Sequence, residues 1–100
     1  MKRIAFVGVF LVSFAGAAQA STIKNACLGS DRAGGNYALC GCIQDAANRT
    51  LTSQDQRLAA TFFGDPHRAQ EIRQSDRRSH ERFWERYRNF GITAETFCRS

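Results

Sequence analysis

Tyr37-Ala38-Leu39-Cys40-Gly41-Cys42-Ile43-Gln44-Asp45-Ala46-Ala47-Asn48-Arg49 is the stretch around which this chain organises itself. Leu39, Ile43, Ala46 and Ala47, then Thr50, recur at the spacing of one face of an α-helix. A helix is therefore predicted over residues 37–49. Cys40 sits beside that apolar stripe and Cys42 lies away from it, because residues two apart on a helix point to roughly opposite sides. Cysteines so placed pair poorly with each other, and each must find a partner elsewhere in the chain.

The compartment is written at the other end of the sequence. Lys2 and Arg3 precede a run over residues 4–14 that is apolar except for Gly8 and Ser13, and small residues then lead to Ala18-Gln19-Ala20. This is the pattern of a cleavable export signal over residues 1–20, with Ser21 as the predicted mature N-terminus. The apolar core is shorter than the roughly 20 residues a membrane-spanning helix needs. No cysteine follows the cleavage site, which argues against a lipid anchor, and no later stretch is apolar enough to span a membrane. The expected product is a periplasmic or secreted domain over residues 21–100, and intact mass of exported material checks the Ser21 terminus.

All four cysteines, Cys27, Cys40, Cys42 and Cys98, fall in that domain. An even number in an oxidising compartment implies disulfides. The spacing C-x12-C-x-C-x55-C lacks the C-x2-C knuckles of structural zinc sites. Two pairings remain. If a first helix folds back through a turn centred between Ala33 and Gly34, Cys27 and Cys40 stand opposite each other, and Cys42 is left to tie Cys98 to the second helix. The alternative, Cys27–Cys42 with Cys40–Cys98, needs only a small rotation of that helix. A domain of about eighty residues is near the size where a single core is marginal, so such staples carry weight.

The rest of the chain reads as helix. A short one is predicted over residues 22–28, and Gly34-Gly35 marks the turn before Asn36. Thr52 or Ser53 should cap a third, with Gln56 completing a capping box from Ser53, and Leu58, Ala59, Phe62 and Phe63 forming its apolar face up to Gly64. Asp65-Pro66 restarts the chain as N-cap and first helical residue, with Ala69 and Ile72 facing inward. A single helix over residues 66–90 would be about 40 Å long, against a domain only about 30 Å across. A break is therefore expected near residues 75–79, with Ser79 capping the next helix. Phe83, Tyr87 and Phe90 form the apolar face of that helix. Gly91 should interrupt again, with Thr93 capping a last turn that carries Phe97 and Cys98. The predicted fold is all-α: a small bundle of about four short helices stapled by two disulfides.

Losing Lys2 and Arg3 takes the formal charge from +5 to +3. Eleven of the twelve remaining cations are arginine, Lys24 being the exception. Arginine keeps its charge and favours planar anions and aromatic faces. Seven arginines lie between Asp65 and Phe90, interspersed with five acids. Arg78, Arg82 and Arg86 make a one-sided row, with Phe83, Trp84 and Tyr87 between them. Trp84 is costly on a polar helix unless it is buried or recognises something. These features make Arg78, Arg82, Trp84 and Arg86 the candidate binding residues. The row is expected to be exposed, with Phe83, Tyr87 and Phe90 buried. Nucleic acid, which basic-aromatic patterns can bind, is not the expected partner of an exported protein.

No catalytic constellation emerges. His67 with Glu71 and Asp76 with His80 are four apart, a spacing far more common for exposed polar pairs than for metal ligands. There is no G-x-S-x-G elbow and no P-loop, and four paired cysteines leave no free nucleophile. Neither a cofactor nor a metal is implied, and an enzyme is not expected.

Cys40-x-Cys42-Ile43-Gln44, Asp65-Pro66-His67-x-Ala69-Gln70, Arg73-Gln74-Ser75-Asp76 and Phe83-Trp84-x-Arg86-Tyr87 together resemble a group of short exported bacterial proteins that carry the label "arginine transporter". The resemblance covers roughly residues 27–98. A domain of this size has no membrane pathway and is too small for a two-lobed solute receptor. The resemblance thus implies at most an accessory or binding role at the cell envelope, and it supplies no site residue. Two expectations stand side by side: a non-enzymatic domain that binds a protein or anionic envelope component through the arginine-aromatic helix, or a soluble accessory of amino-acid (arginine) transport. Converging acids would favour the solute, whereas an apolar patch beside the arginine row would favour a protein.

Overall fold

The computed structural model describes residues 21–31 and 35–98. The expected export signal, residues 1–20, lies outside the described residues, as do residues 32–34 of the predicted turn. Among the described residues there are five helices and no strand: α1 (Thr22–Leu28), α2 (Tyr37–Thr50), α3 (Ser53–Gly64), α4 (Pro66–Arg73) and α5 (Arg78–Phe97). The all-α reading holds, with five helices against about four expected, and the break expected near residues 75–79 falls between α4 and α5.

The helices close into a ring: α1 packs on α2, α2 on α5, α5 on α4, α4 on α3 and α3 back on α1. Each contributes to one core, made of Ile23 from α1, Ala46 and Ala47 from α2, Leu51 from the link, Ala59 and Phe62 from α3, Ile72 from α4, and Phe83 and Phe90 from α5. Small alanines on α2 and large rings on α3 and α5 share this core. The rings form a connected cluster with Tyr87 at its centre. Its centroid lies 5.3 Å from Phe62, 5.5 Å from Phe83, 5.1 Å from Trp84 and 5.6 Å from Phe90. Such pairs contribute about 0.5–1.5 kcal/mol each beyond their burial. Phe83 and Phe90 are buried as expected, while Tyr87 is partly buried.

Of the two pairings left open, the structure takes Cys27–Cys40 with Cys42–Cys98. Cys27–Cys40 joins α1 to α2 with 5.6 Å between Cα atoms, and Cys42–Cys98 joins α2 to the end of α5 with 5.7 Å. The opposite orientation of Cys40 and Cys42 on α2 sends one bond to each neighbour. Gly35, at φ +76°, takes the left-handed conformation that glycine accepts without steric cost and brings the chain into α2. Asn36 then caps α2 by accepting from the Leu39 N–H at 2.9 Å.

Four local expectations are corrected. The capping box of α3 is Thr52 with Asp55, each side chain bonded to the other's backbone N–H at 3.0 Å, not Ser53 with Gln56. Gln56 is drawn instead into a buried amide network with Gln44 and Asn48. Asp65 occupies the N-cap of α4 before Pro66, yet its side chain makes no capping bond. Ser79 does not cap α5: Arg77 precedes the helix, and the Ser75 hydroxyl accepts from the Arg77 N–H at 3.1 Å, ending the break early. Finally, α5 runs through Gly91 and Thr93 to Phe97. Ala94 packs onto the core there and the Cys42–Cys98 bond anchors the end, so tertiary contacts override the glycine.

Candidate functional site

The arginine row begins as a matter of helix geometry. Each step of four residues advances about 400°, so the row winds by about 40° per step around α5. Arg78 and Arg82 stay on the outer face and are exposed. Arg86 has turned far enough to reach α3. Its Nε and one terminal nitrogen donate to the two carboxylate oxygens of Asp55 at 2.6 and 3.0 Å. The Asp55 side chain is 7% exposed and that of Arg86 41%. Arg86 is therefore a partner for a buried carboxylate, and the expectation of three equivalent exposed arginines is corrected to two.

Asp55 thus joins α3 to α5, and it also accepts the Thr52 N–H of the α3 cap. Burial pushes its pKa up. The Arg86 guanidinium and the backbone and side-chain hydrogen bonds of Thr52 outweigh that and hold it below the usual carboxylate value. A folded-state pKa below the unfolded one means that the stabilisation is present in full above about pH 4 and is lost as pH falls through the folded value. Arg86→Ala should cost about 1–2 kcal/mol at neutral pH. That is less than the 3–5 of a fully buried pair, because the guanidinium stays open to water. It should also flatten the fall in melting temperature below pH 4. Arg82→Ala, on the outer face, should stay within about 0.5 kcal/mol. Equal effects of the two substitutions in thermal melts would contradict this division of the row.

Trp84 and Arg86, two apart, project from nearly opposite flanks of α5. Trp84 is partly buried, packed against the core and tilted over Tyr87. Packing thus accounts for a tryptophan on this helix, and the structure does not bring Trp84 together with the arginines. The two histidine pairs fare differently. His67 lies 4.0 Å from Glu71 on exposed α4, whereas His80 contacts the Ser75 hydroxyl at 2.7 Å rather than Asp76. Among the described residues no three His, Cys, Asp or Glu side chains converge as a metal site.

Two shallow grooves accompany α5. One, of about 300 Å³, is lined by Glu85, Arg88, Asn89 and Ile92, on the same outer face as Arg78 and Arg82. Ile92 is 58% exposed. The other, of about 190 Å³, lies between α2 and α5 and is lined by Cys42, Asp45, Ala46, Arg49, Thr93 and Phe97. There the Arg49 guanidinium stands 5.9 Å from the centre of the Phe97 ring. Each groove holds a single carboxylate, so neither shows the converging acids that an arginine ligand needs.

No family model, curated protein or solved structure matches this chain.

Arg88 and Ile92 extend the outer face, although the arginine row alone does not reveal them. The signal was available: Glu85, Arg88, Asn89 and Ile92 share one helical face by spacing, and Ile92 is an isoleucine on an otherwise polar face. Gln44, buried at the junction of α1, α2 and α3, is a structural centre that the sequence pattern does not mark. A lone glutamine carries no signal of burial until its partners are known.

Proposed function

We propose that this protein is an exported, non-enzymatic binding domain that docks a protein or an anionic envelope component on the outer face of α5. The observation that carries this reading is the state of the arginines there. Arg78, Arg82 and Arg88 are exposed and make no ion pair within 4 Å among the described residues, and the exposed Ile92 lies along the same face. Unpaired arginines beside an exposed aliphatic side chain suit an anionic surface with an apolar component. Two disulfides are compatible with an extracellular or periplasmic setting. No helix among the described residues is long and apolar enough to cross a membrane. The single carboxylate in each groove favours surface docking over capture of a cationic amino acid.

The test compares Arg78→Glu/Arg82→Glu with Arg68→Glu/Arg73→Glu on α4, for binding to vesicles containing anionic lipid and to chemically crosslinked envelope proteins. A basic residue near an anionic surface contributes about 1 kcal/mol, so reversing two should weaken binding at least about tenfold. The control pair should have little effect, and neither should change stability by more than about 1 kcal/mol. Equal binding by the two double variants would remove α5 as the docking face.

A further inference from the structure

The two disulfides sit in different surroundings. Cys27 and Cys40 are 1% and 0% exposed, sealed between α1 and α2. Cys42 and Cys98 are both partly exposed, and Cys42 opens onto the groove between α2 and α5. Arg49 lines that groove one heptad after Cys42 on the same face of α2, with Asp45 between them. Access favours attack on a disulfide, and the groove holds both a cation that stabilises a departing thiolate and, in Asp45, a carboxylate that opposes it, so exposure is the feature that sets this bond apart from Cys27–Cys40.

Apart from this bond, the helix end is held by Ala94 against the core and by Phe97 beside Arg49 at the exposed groove. Beyond Phe90, Ala94 is the only hydrophobic side chain of α5 packed against the core, and Ile92 and Phe97 are 58% and 66% exposed. The segment contains Gly91 and the β-branched Ile92, Thr93 and Thr96, all weak helix formers. The core rings Phe83 and Phe90, by contrast, lie upstream of Gly91 and pack without it.

We propose that Cys42–Cys98 is a thiol–disulfide exchange site for a dithiol reductant, and that opening it frees residues 91–98 while the rest of the fold, with Cys27–Cys40, stays intact. A thiolate of the dithiol attacks one sulfur of the pair. The S–S bond breaks, its electron pair leaves on the other sulfur, which takes up a proton, and a mixed disulfide remains. The second thiol of the reductant attacks that bond and releases the remaining cysteine. The dithiol is oxidised to a disulfide, and Cys42 and Cys98 are reduced to thiols by two electrons and two protons.

The experiment titrates the oxidised full chain with dithiothreitol, traps thiols by alkylation at intervals, and reads each cysteine by mass spectrometry alongside amide exchange. The expected result is alkylation of Cys42 and Cys98 at least tenfold sooner than Cys27 and Cys40. Exchange should accelerate at residues 92–98 while residues 83–90 stay protected. The Cys42→Ser/Cys98→Ser variant should show the same exchange pattern without reductant. Adding Gly91→Ala, whose Cβ would meet no atom within 4 Å, should restore part of the protection at 92–98. The proposal is overturned if both bonds open together, if residues 92–98 stay protected once Cys42–Cys98 is open, or if residues 83–90 lose protection with it.

Discussion

Replacing Cys27 and Cys40 together by alanine is expected to lower stability by about 4–5 kcal/mol and to leave most of the domain unfolded at 37 °C. Loop closure across 13 residues contributes about 3 kcal/mol through the unfolded state. The remainder comes from the site itself. Both sulfurs are buried, so their removal forfeits packing and leaves space between α1 and α2 that the helices fill only in part. Against the 5–15 kcal/mol typical of a folded domain, with this one at the small end, that loss is most of what is available. α1 suffers first. Its seven residues are too few to be helical alone, and the disulfide is its covalent hold on α2. Denaturant unfolding of the oxidised parent and the double variant measures the difference. A loss under 2 kcal/mol would mean that Ile23 and Gln44 suffice to dock α1.

Gln44→Leu is expected to cost about 2–4 kcal/mol although it conserves volume and adds apolar surface. The Gln44 side-chain oxygen accepts the N–H groups of Ile23 and Lys24, both at 2.8 Å. These are first-turn donors of α1, and Ser21 makes no side-chain cap to take them. The Gln44 amide nitrogen donates to Asn48 Oδ1 and Gln56 Oε1, both at 2.9 Å. All four hydrogen-bonding positions of the carboxamide are filled. Leucine leaves the buried Ile23 N–H and the buried Gln56 oxygen without these bonds, at about 1–3 kcal/mol each. A domain of this size shifts by about 4–8 °C per kcal/mol, so thermal melts should show a fall of at least 8 °C. Gln44→Glu separates capping from volume. It keeps the acceptor at the helix N-terminus, where negative charge is favoured, and Asn48 and Gln56 can turn their amides to donate to it. It should lose less than half as much as leucine. Equal losses would show that the network, rather than the cap of α1, carries the effect.

The same residue illustrates why local reading stops where it does. The 22–28 segment has a weak pattern and no side-chain cap, yet α1 forms over Thr22–Leu28 because α2 supplies the cap from a residue about twenty positions away. The capping box of α3 shows the converse. Ser53-x-x-Gln56 and Thr52-x-x-Asp55 are equally good on paper, and the choice falls to Thr52 because Gln56 is needed inside and Asp55 meets Arg86. At Gly91 local propensity predicts a break, and a covalent anchor seven residues later overrides it. The row Arg78–Arg82–Arg86 was legible as a row, while its division was not, since a spacing of four says nothing about what stands opposite the third member.

Helical periodicity, the position of Cys40 and Cys42 on opposite sides of one helix, and the apolar faces of Phe62, Phe83 and Phe90 were determined by the amino-acid order alone. They express the 3.6-residue repeat and the burial of apolar surface, which are properties of neighbours along the chain. Tertiary structure decided which polar groups went inside. Gln44, Gln56 and Asp55 are buried because partners from α1, α2 and α5 satisfy them there. Desolvation penalises a polar side chain unless a partner meets it, and that partner is specified by the fold and not by the residue.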